Sequence, residues 1–320
     1  MKNLIISFPL LLLFCAPSLR AQEISTRTYQ LKDGLSLTYS KPGFFHTMGA
    51  LPSDLGVFVK QSLKKENLPW LAAITASTLI LIEYDQKIYD HAKNFGEKLE
   101  ISDADKTKAS LTVHKMSLIR LPRDLGSFFY FIGDGWINMS LFASFEAYGK
   151  IGGDWRALQT GHQLAEGLIA TGIATEGLKN VFGRETPTSA TAPRGVWRFF
   201  PGPKEYMSHR TRYDAFPSGH LATAMMTVTV ISENYPEKTY IKPLGYALLT
   251  ALSFQMVNNG VHWASDYPLG LAVGYGIGKA IAVHGRTAAC RTEAKDVPAL
   301  TFAPYLSPAG GMGASLTYRF

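Results

Sequence analysis

Cysteine is scarce in this chain of 320 residues: it has two, Cys15 and Cys290, too few for a disulfide framework. No apolar run reaches the roughly 18 clean residues that a lone membrane span requires, and a mean hydropathy of +0.01 argues against a polytopic protein. Charged residues make up 18% and hydrophobic ones 46%, a balance that excludes a disordered chain. Nothing has the spacing of a structural zinc site. Gly274-x-Gly276-x-Gly278 follows no strand, so it is not a dinucleotide fingerprint. What is left is one sizeable globular domain, or such a domain with a small appendage.

At the N-terminus, Lys2 precedes an apolar run from Leu4 to Ala16, with Ala21-Gln22 beyond it. This is the pattern of a secretory signal peptide cut after Ala21. The alternative is a membrane anchor, for which the run is short. Loss of Lys2 and Arg20 with the leader lowers the formal net charge from +7 to +5. That mild excess favours anionic partners such as phosphates or membrane headgroups.

The pattern divides the chain into a leader (1–21), a strand-like or irregular lead-in (22–66), a helical domain (67–290) and a C-terminal β-hairpin (291–320). Helical signals begin at Pro69. An apolar run, Leu71–Ile82, is followed by two amphipathic stretches within 117–149, around Gly133-Asp134-Gly135. Further helices are expected over 158–182, 219–233, 243–257 and 266–283, several too apolar all round for a surface helix and suited to a bundle core. Residues 299–306 and 314–320 alternate with period 2 about a turn at 307–311, which predicts the hairpin. The stretch 184–217 has five prolines, many basic residues, and Trp197, Phe199 and Phe200. A loop of that length within a compact domain points to function.

Three places carry chemistry. Ser218, in Pro217-Ser218-Gly219-His220, can cap the helix that follows. Free amides at that helix N-terminus, with Gly219 permitting close approach, make a phosphate seat beside an imidazole, or simply a plain cap. His262 and Asp266 are four apart and would share a helix face. There a carboxylate can hold one ring nitrogen and free the other to attack, or the pair is a core hydrogen bond. Gly270, Gly274 and Gly278 continue that face and would admit a second helix very closely. Lys179 ends the stripe Leu164, Leu168, Gly172, Thr175. It either points toward the core in need of an anion or snorkels to solvent.

Taken in order, Lys179…Thr186-Pro187, Pro217-Ser218-Gly219-His220 and His262…Asp266 resemble the three-part signature of the type 2 phosphatidic acid phosphatase superfamily. That superfamily also includes bacterial class A acid phosphatases and vanadium haloperoxidases. The resemblance covers about residues 158–283 and implies a mainly α fold, the superfamily's helical bundle, here with a small C-terminal β-hairpin. It implies hydrolysis of a phosphate ester through a phosphohistidine. His262 would be the nucleophile, Asp266 its orienting carboxylate and His220 the general acid, with Ser218, Gly219 and Lys179 on the phosphoryl oxygens. No metal or other cofactor is implied, except vanadate under the haloperoxidase alternative. A phosphorylated lipid or a small phosphomonoester is the expected partner, with a membrane surface in reach and no nucleic acid. The basic, aromatic loop 195–216 tilts the expectation toward the lipid. The leader implies an exported protein, periplasmic or membrane-associated.

Two departures stand out. The signature's first-block arginine falls at Thr186, and its third-block Ser-Arg falls at Gln255-Met256. Loss of one transition-state donor typically costs ~100- to 1,000-fold in rate, so a working enzyme needs substitutes. Arg184, two residues before Thr186, and Arg212 are the named candidates. Arg194, Arg198, Lys204, His209 and Arg210 lie in the same loop. Without substitutes, the chain would be a weak or inactive phosphate- or lipid-binding homologue.

Overall fold

A computed structural model describes residues 25–31, 34–113, 116–290, 299–306 and 312–319. The expected leader and the hairpin turn at 307–311 lie outside the described residues. The order is β1 (Thr26–Gln30), β2 (Leu35–Ser40), α1 (Phe44–Ser62), α2 (Leu68–Lys98), β3 (Thr107–Val113), β4 (Met116–Pro122), α3 (Leu125–Phe131), α4 (Gly135–Gly152) and α5 (Trp155–Phe182). Then come α6 (Pro203–Ser208), α7 (Gly219–Asn234), α8 (Ile241–Asn258), α9 (Tyr267–Ala282), β5 (Arg286–Cys290), β6 (Ala299–Leu306) and β7 (Met312–Arg319). The fold is mainly helical, as expected. β6 and β7 pair antiparallel with Thr301 opposite Thr317, the hairpin that the alternation predicts.

Local sequence explains most helix ends. The side chains of Asp124, Asp134, Asp154 and Ser218 accept from backbone amides in the first turns of α3, α4, α5 and α7. Gly153 and Gly183 close α4 and α5 in the left-handed conformation, at φ 62° and 54°. Two expectations fail. Residues 117–122 belong to a strand, β4, paired with β3, and helix begins only at Leu125. Residues 44–62, in the lead-in read as strand-like or irregular, form α1 despite Pro52, Gly49 and Gly56. Tertiary burial of Thr47, Ala50 and Asp54 against α5 and α9 overrides those local breakers.

The core lies where α5, α7 and α9 meet. Leu164, Ala170, Ala222, Met226, Val230, Val273, Ile277 and Ile281 pack there without solvent. A second cluster, Leu221, Leu249, Leu252 and Met256, ties α7 to α8. The glycine stripe of α9 does what its spacing predicts. A Cβ at Gly274 would run into the Ala222 carbonyl, and one at Gly270 would stand 2.7 Å from the Ser218 carbonyl. Backbone therefore meets backbone along α7 and α9, and the chain just before α9 is pressed onto the N-terminus of α7. Strand β2, flanked by β1 and β5, closes one end of the bundle. Its buried Tyr39 donates to Asn234 Oδ1 at 2.9 Å.

Between α1 and α5 lies a carboxyl pair, Asp54 and Glu166, both buried. Neither oxygen of Glu166 has a donor partner among the described residues, and His284 Nδ1 stands 3.4 Å from Asp54. Burial, reinforced by the Asp54 charge, lifts the Glu166 carboxyl to about 8. The folded state thus holds a proton that an unfolded carboxyl releases above about pH 4.5. This contribution to stability is complete below that pH and is lost as pH rises toward 8. The unfolding midpoint should fall between pH 5 and about 8.5, and Glu166→Gln should flatten the slope. Thermal melts across that range would contradict this if wild type and variant ran parallel.

Candidate active site

All three sequence blocks converge on the α7–α9 seam. The loop before α7 passes through a cis Phe216–Pro217 bond, and Ser218 then caps the helix with Oγ accepting from Leu221 N at 3.3 Å. The Ser218 amide donates to the Asp266 carbonyl at 3.0 Å, joining the second block to the third. Gly219 and His220 are the first residues of α7, where backbone N–H groups have no intrahelical acceptor. A Cβ on Gly219 would stand 3.7 Å from Lys179 Nζ and 3.6 Å from Thr175 Oγ1. The last turns of α5 therefore bring Lys179 against the α7 N-terminus. The α5 stripe turns Lys179 inward, and it is 8% exposed.

His262 is buried, its ring centroid 5.9 Å from that of His220. His262 Nδ1 lies 2.7 Å from the Ala215 carbonyl oxygen. A carbonyl only accepts, so Nδ1 carries a proton, and the tautomer this contact selects has its lone pair on Nε2. Asp266 is farther away, with Oδ2 3.4 Å from Nδ1. The pair does not share one helix as its spacing had implied. His262 sits in an irregular segment, and Asp266 ends the 3₁₀ turn Ala264–Asp266 that leads into α9. Asp266 Oδ2 accepts from the Trp263 amide at 2.8 Å, which fixes that turn beside the imidazole.

Arg184 is where the structure departs most from expectation. Its side chain is fully buried, with the Nη groups engaged by protein acceptors and Nε without a partner among the described residues. Nη1 donates to Asp266 Oδ1 and to Ser265 Oγ, each at 2.6 Å. Nη2 donates to Asp85 Oδ2 at 2.6 Å and to the Arg194 carbonyl at 2.8 Å. Trp197 and Trp263 flank the guanidinium at 4.8 and 5.3 Å. Asp85 comes from α2 and also accepts from the Ser265 amide at 3.0 Å. Burial lifts the Asp85 carboxyl above its usual range even though Arg184 pulls it down. Arg184 is thus a positioning residue behind Asp266, with no Nη hydrogen left for a phosphate clamp.

The other loop cations are also engaged or remote. Arg194 pairs with Glu83, Arg198 with Glu185, Arg210 with Glu176 and Asp214, and His209 with Glu205. Arg212 is exposed in a 3₁₀ turn. Burial first, then the charges of His262 and Lys179, push His220 down to about 3. Thr186 is buried with its hydroxyl 3.2 Å from that of Thr188. Met256 is buried beneath Ser218, Sδ 3.7 Å from Oγ. Lys179 itself lies 3.2 Å from Glu176, which also accepts from Tyr206 and Arg210. Much of the loop's aromatic character turns inward: Trp197 and Phe216 pack on Phe182, leaving Phe199 and Phe200 to solvent.

Residues 161–288 match the family model of the PAP2 superfamily. No curated protein and no solved structure matches the chain. The matched stretch covers less than half of the chain, contains all three blocks and runs from α5 to β5. The match supports a phosphatase-like or haloperoxidase-like function in general terms, acting on phosphate esters. Asp85 lies outside it, on α2. Sequence reasoning missed Asp85, because a lone acid among Glu83, Tyr84 and Gln86 has no visible partner. It also missed the Ala215 carbonyl, which no side-chain pattern reveals.

Truncation of Arg184 to Ala should leave two buried carboxylates without their cation and cost about 3–5 kcal/mol. Arg184→Lys should not rescue it, because a single ammonium cannot reproduce the forked contacts. Urea unfolding measures this. Wild-type stability in Arg184→Ala, combined with lost phosphate affinity, would restore the clamp.

Proposed function

We propose that the protein hydrolyses a phosphate ester by two phosphoryl transfers through His262. The observation that carries this reading is the fixed tautomer of His262. The Ala215 carbonyl holds the Nδ1 proton, and Nε2 is left as a nucleophile beside the α7 N-terminus. In the first step the Nε2 lone pair forms a bond to phosphorus as the ester P–O bond breaks. His220 gives its proton to the leaving oxygen, so the alcohol departs neutral. In the second step water attacks phosphorus, the P–N bond breaks, and His220 takes the water's proton. The Gly219 and His220 amides, the helix dipole and Lys179 stabilise the charge on the phosphoryl oxygens.

His220 is neutral at pH 7 in the empty site, because burial, His262 and Lys179 all oppose its charge. It needs a proton to serve as the acid, and a phosphate anion arriving between these groups favours one. Turnover should therefore rise as pH falls below neutral. Vanadate would meet the same donors, with one lysine for a more highly charged anion. Nothing in the donor set favours the haloperoxidase reading.

The proposal extends to an exported protein working at a membrane surface. Support comes from the first half of α2, where Leu68–Ile82 has no charged residue. In this half Trp70, Leu79 and Ile80 are more than half exposed, with Lys60, Lys64 and Lys65 just before it. Phosphate release should be measured from a soluble chromogenic ester and from a lipid phosphate in anionic vesicles. The account expects release that vanishes in His262→Ala and protein that co-floats with the vesicles. Binding of phosphate without release from either substrate would identify a non-catalytic homologue instead.

A further inference from the structure

Glu176 stands one helical turn before Lys179 on α5, and its two carboxylate oxygens face different partners. Oε1 lies 3.2 Å from Lys179 Nζ. Oε2 accepts from the Tyr206 hydroxyl and from Arg210 Nη2, each at 2.8 Å. Tyr206 is buried on α6, and Arg210 lies over its ring, 5.3 Å from the centroid. Both donors belong to the strap 203–214, which runs on to Ala215, whose carbonyl holds the Nδ1 proton of His262. Burial, then the bond to Glu176, lifts the Tyr206 hydroxyl well above its usual range, so it remains a donor. Burial opposes a charge on Glu176, but Lys179, Tyr206 and Arg210 outweigh it and hold the carboxyl below its usual range. Glu176 is therefore an anion at neutral pH, with one oxygen turned to the phosphate seat and the other to the strap.

We propose that Glu176 is a positioning residue: its carboxylate holds the Lys179 ammonium at the N-terminus of α7 and ties it to the strap that ends at the Ala215 carbonyl. The inference rests on the phosphatase reading for what Lys179 does once it is held there. A lysine stem is long and flexible, and an ammonium without a partner turns to water. Nζ instead faces Gly219, 3.7 Å from where a Cβ would stand. With one N–H directed at Glu176, two are left for phosphoryl oxygens. A carboxylate beside an incoming phosphate would by itself repel it, and the Arg210 guanidinium on Oε2 offsets that charge. The action of Glu176 on the ester thus passes through Lys179.

The test compares Glu176→Ala, Glu176→Gln and Glu205→Ala, with inorganic phosphate binding followed by calorimetry, kcat/KM by a chromogenic ester and folding by thermal melts. Glu205 is the control, since it accepts from Tyr213 and faces His209 within the same strap. Glu176→Ala should lower kcat/KM by about 10- to 100-fold and weaken phosphate binding, with a melting temperature close to that of wild type. Glu176→Gln keeps a carbonyl oxygen for Lys179 and should recover part of both losses, and Glu205→Ala should show neither. Phosphate bound as tightly or more tightly by Glu176→Ala overturns the proposal, as does an equal loss in Glu205→Ala. Wild type that binds phosphate without hydrolysing the ester, with that binding weakened in Glu176→Ala, keeps the positioning role and overturns the phosphatase reading. Wild type that neither binds phosphate nor releases it overturns both.

Discussion

The buried guanidinium of Arg184 is the contact on which the rest of the site depends. It bridges two carboxylates, Asp85 of α2 and Asp266 at the head of α9, and both are fully buried. Desolvating three charged groups is costly, and their mutual attraction offsets that cost only when geometry and remaining hydrogen bonds are near ideal. Here Ser265, the Arg194 carbonyl and two indole faces add to the shell, and only Nε lacks a partner among the described residues. The bridge fixes the turn Ala264–Asp266, and that turn sets His262 against the Ala215 carbonyl. The Asp266 carbonyl in turn receives the Ser218 amide, so the same bridge registers the N-terminus of α7 against α9.

This arrangement accounts for a site with few cations. An arginine in a phosphate seat would act by direct charge, whereas Arg184 braces Asp266, so under the proposed reading the seat would rest on Lys179, the α7 amides and His220. Lys179 is also shared with Glu176.

Much of this was legible in the sequence. The Pro-Ser-Gly-His block, the His262–Asp266 pair, Lys179 and the α9 glycines are local patterns, and each marks a place where backbone or charge must approach closely. The helices α5, α7, α8 and α9 and the terminal hairpin followed from periodicity, whereas the short α6 falls in the stretch read as a loop. The misread β4 pairs with its immediate neighbour β3, but the failures at α1 and Arg184 depend on contacts between distant segments. α1 is held by packing on α5 and α9 against its own proline and glycines. Arg184 stands at a position where extended geometry would aim it at phosphate, yet Asp85, about a hundred residues earlier, draws it inward. No single-sequence pattern records that pairing, or the carbonyl that fixes the His262 tautomer.

The central claim is that His262 Nε2 becomes covalently phosphorylated. Radiolabelled ester mixed with the enzyme and quenched in alkali, where a phosphohistidine survives, tests it directly. The account predicts label on the peptide containing His262 and none in His262→Asn. Turnover with no label trapped, or label on another residue, would contradict it.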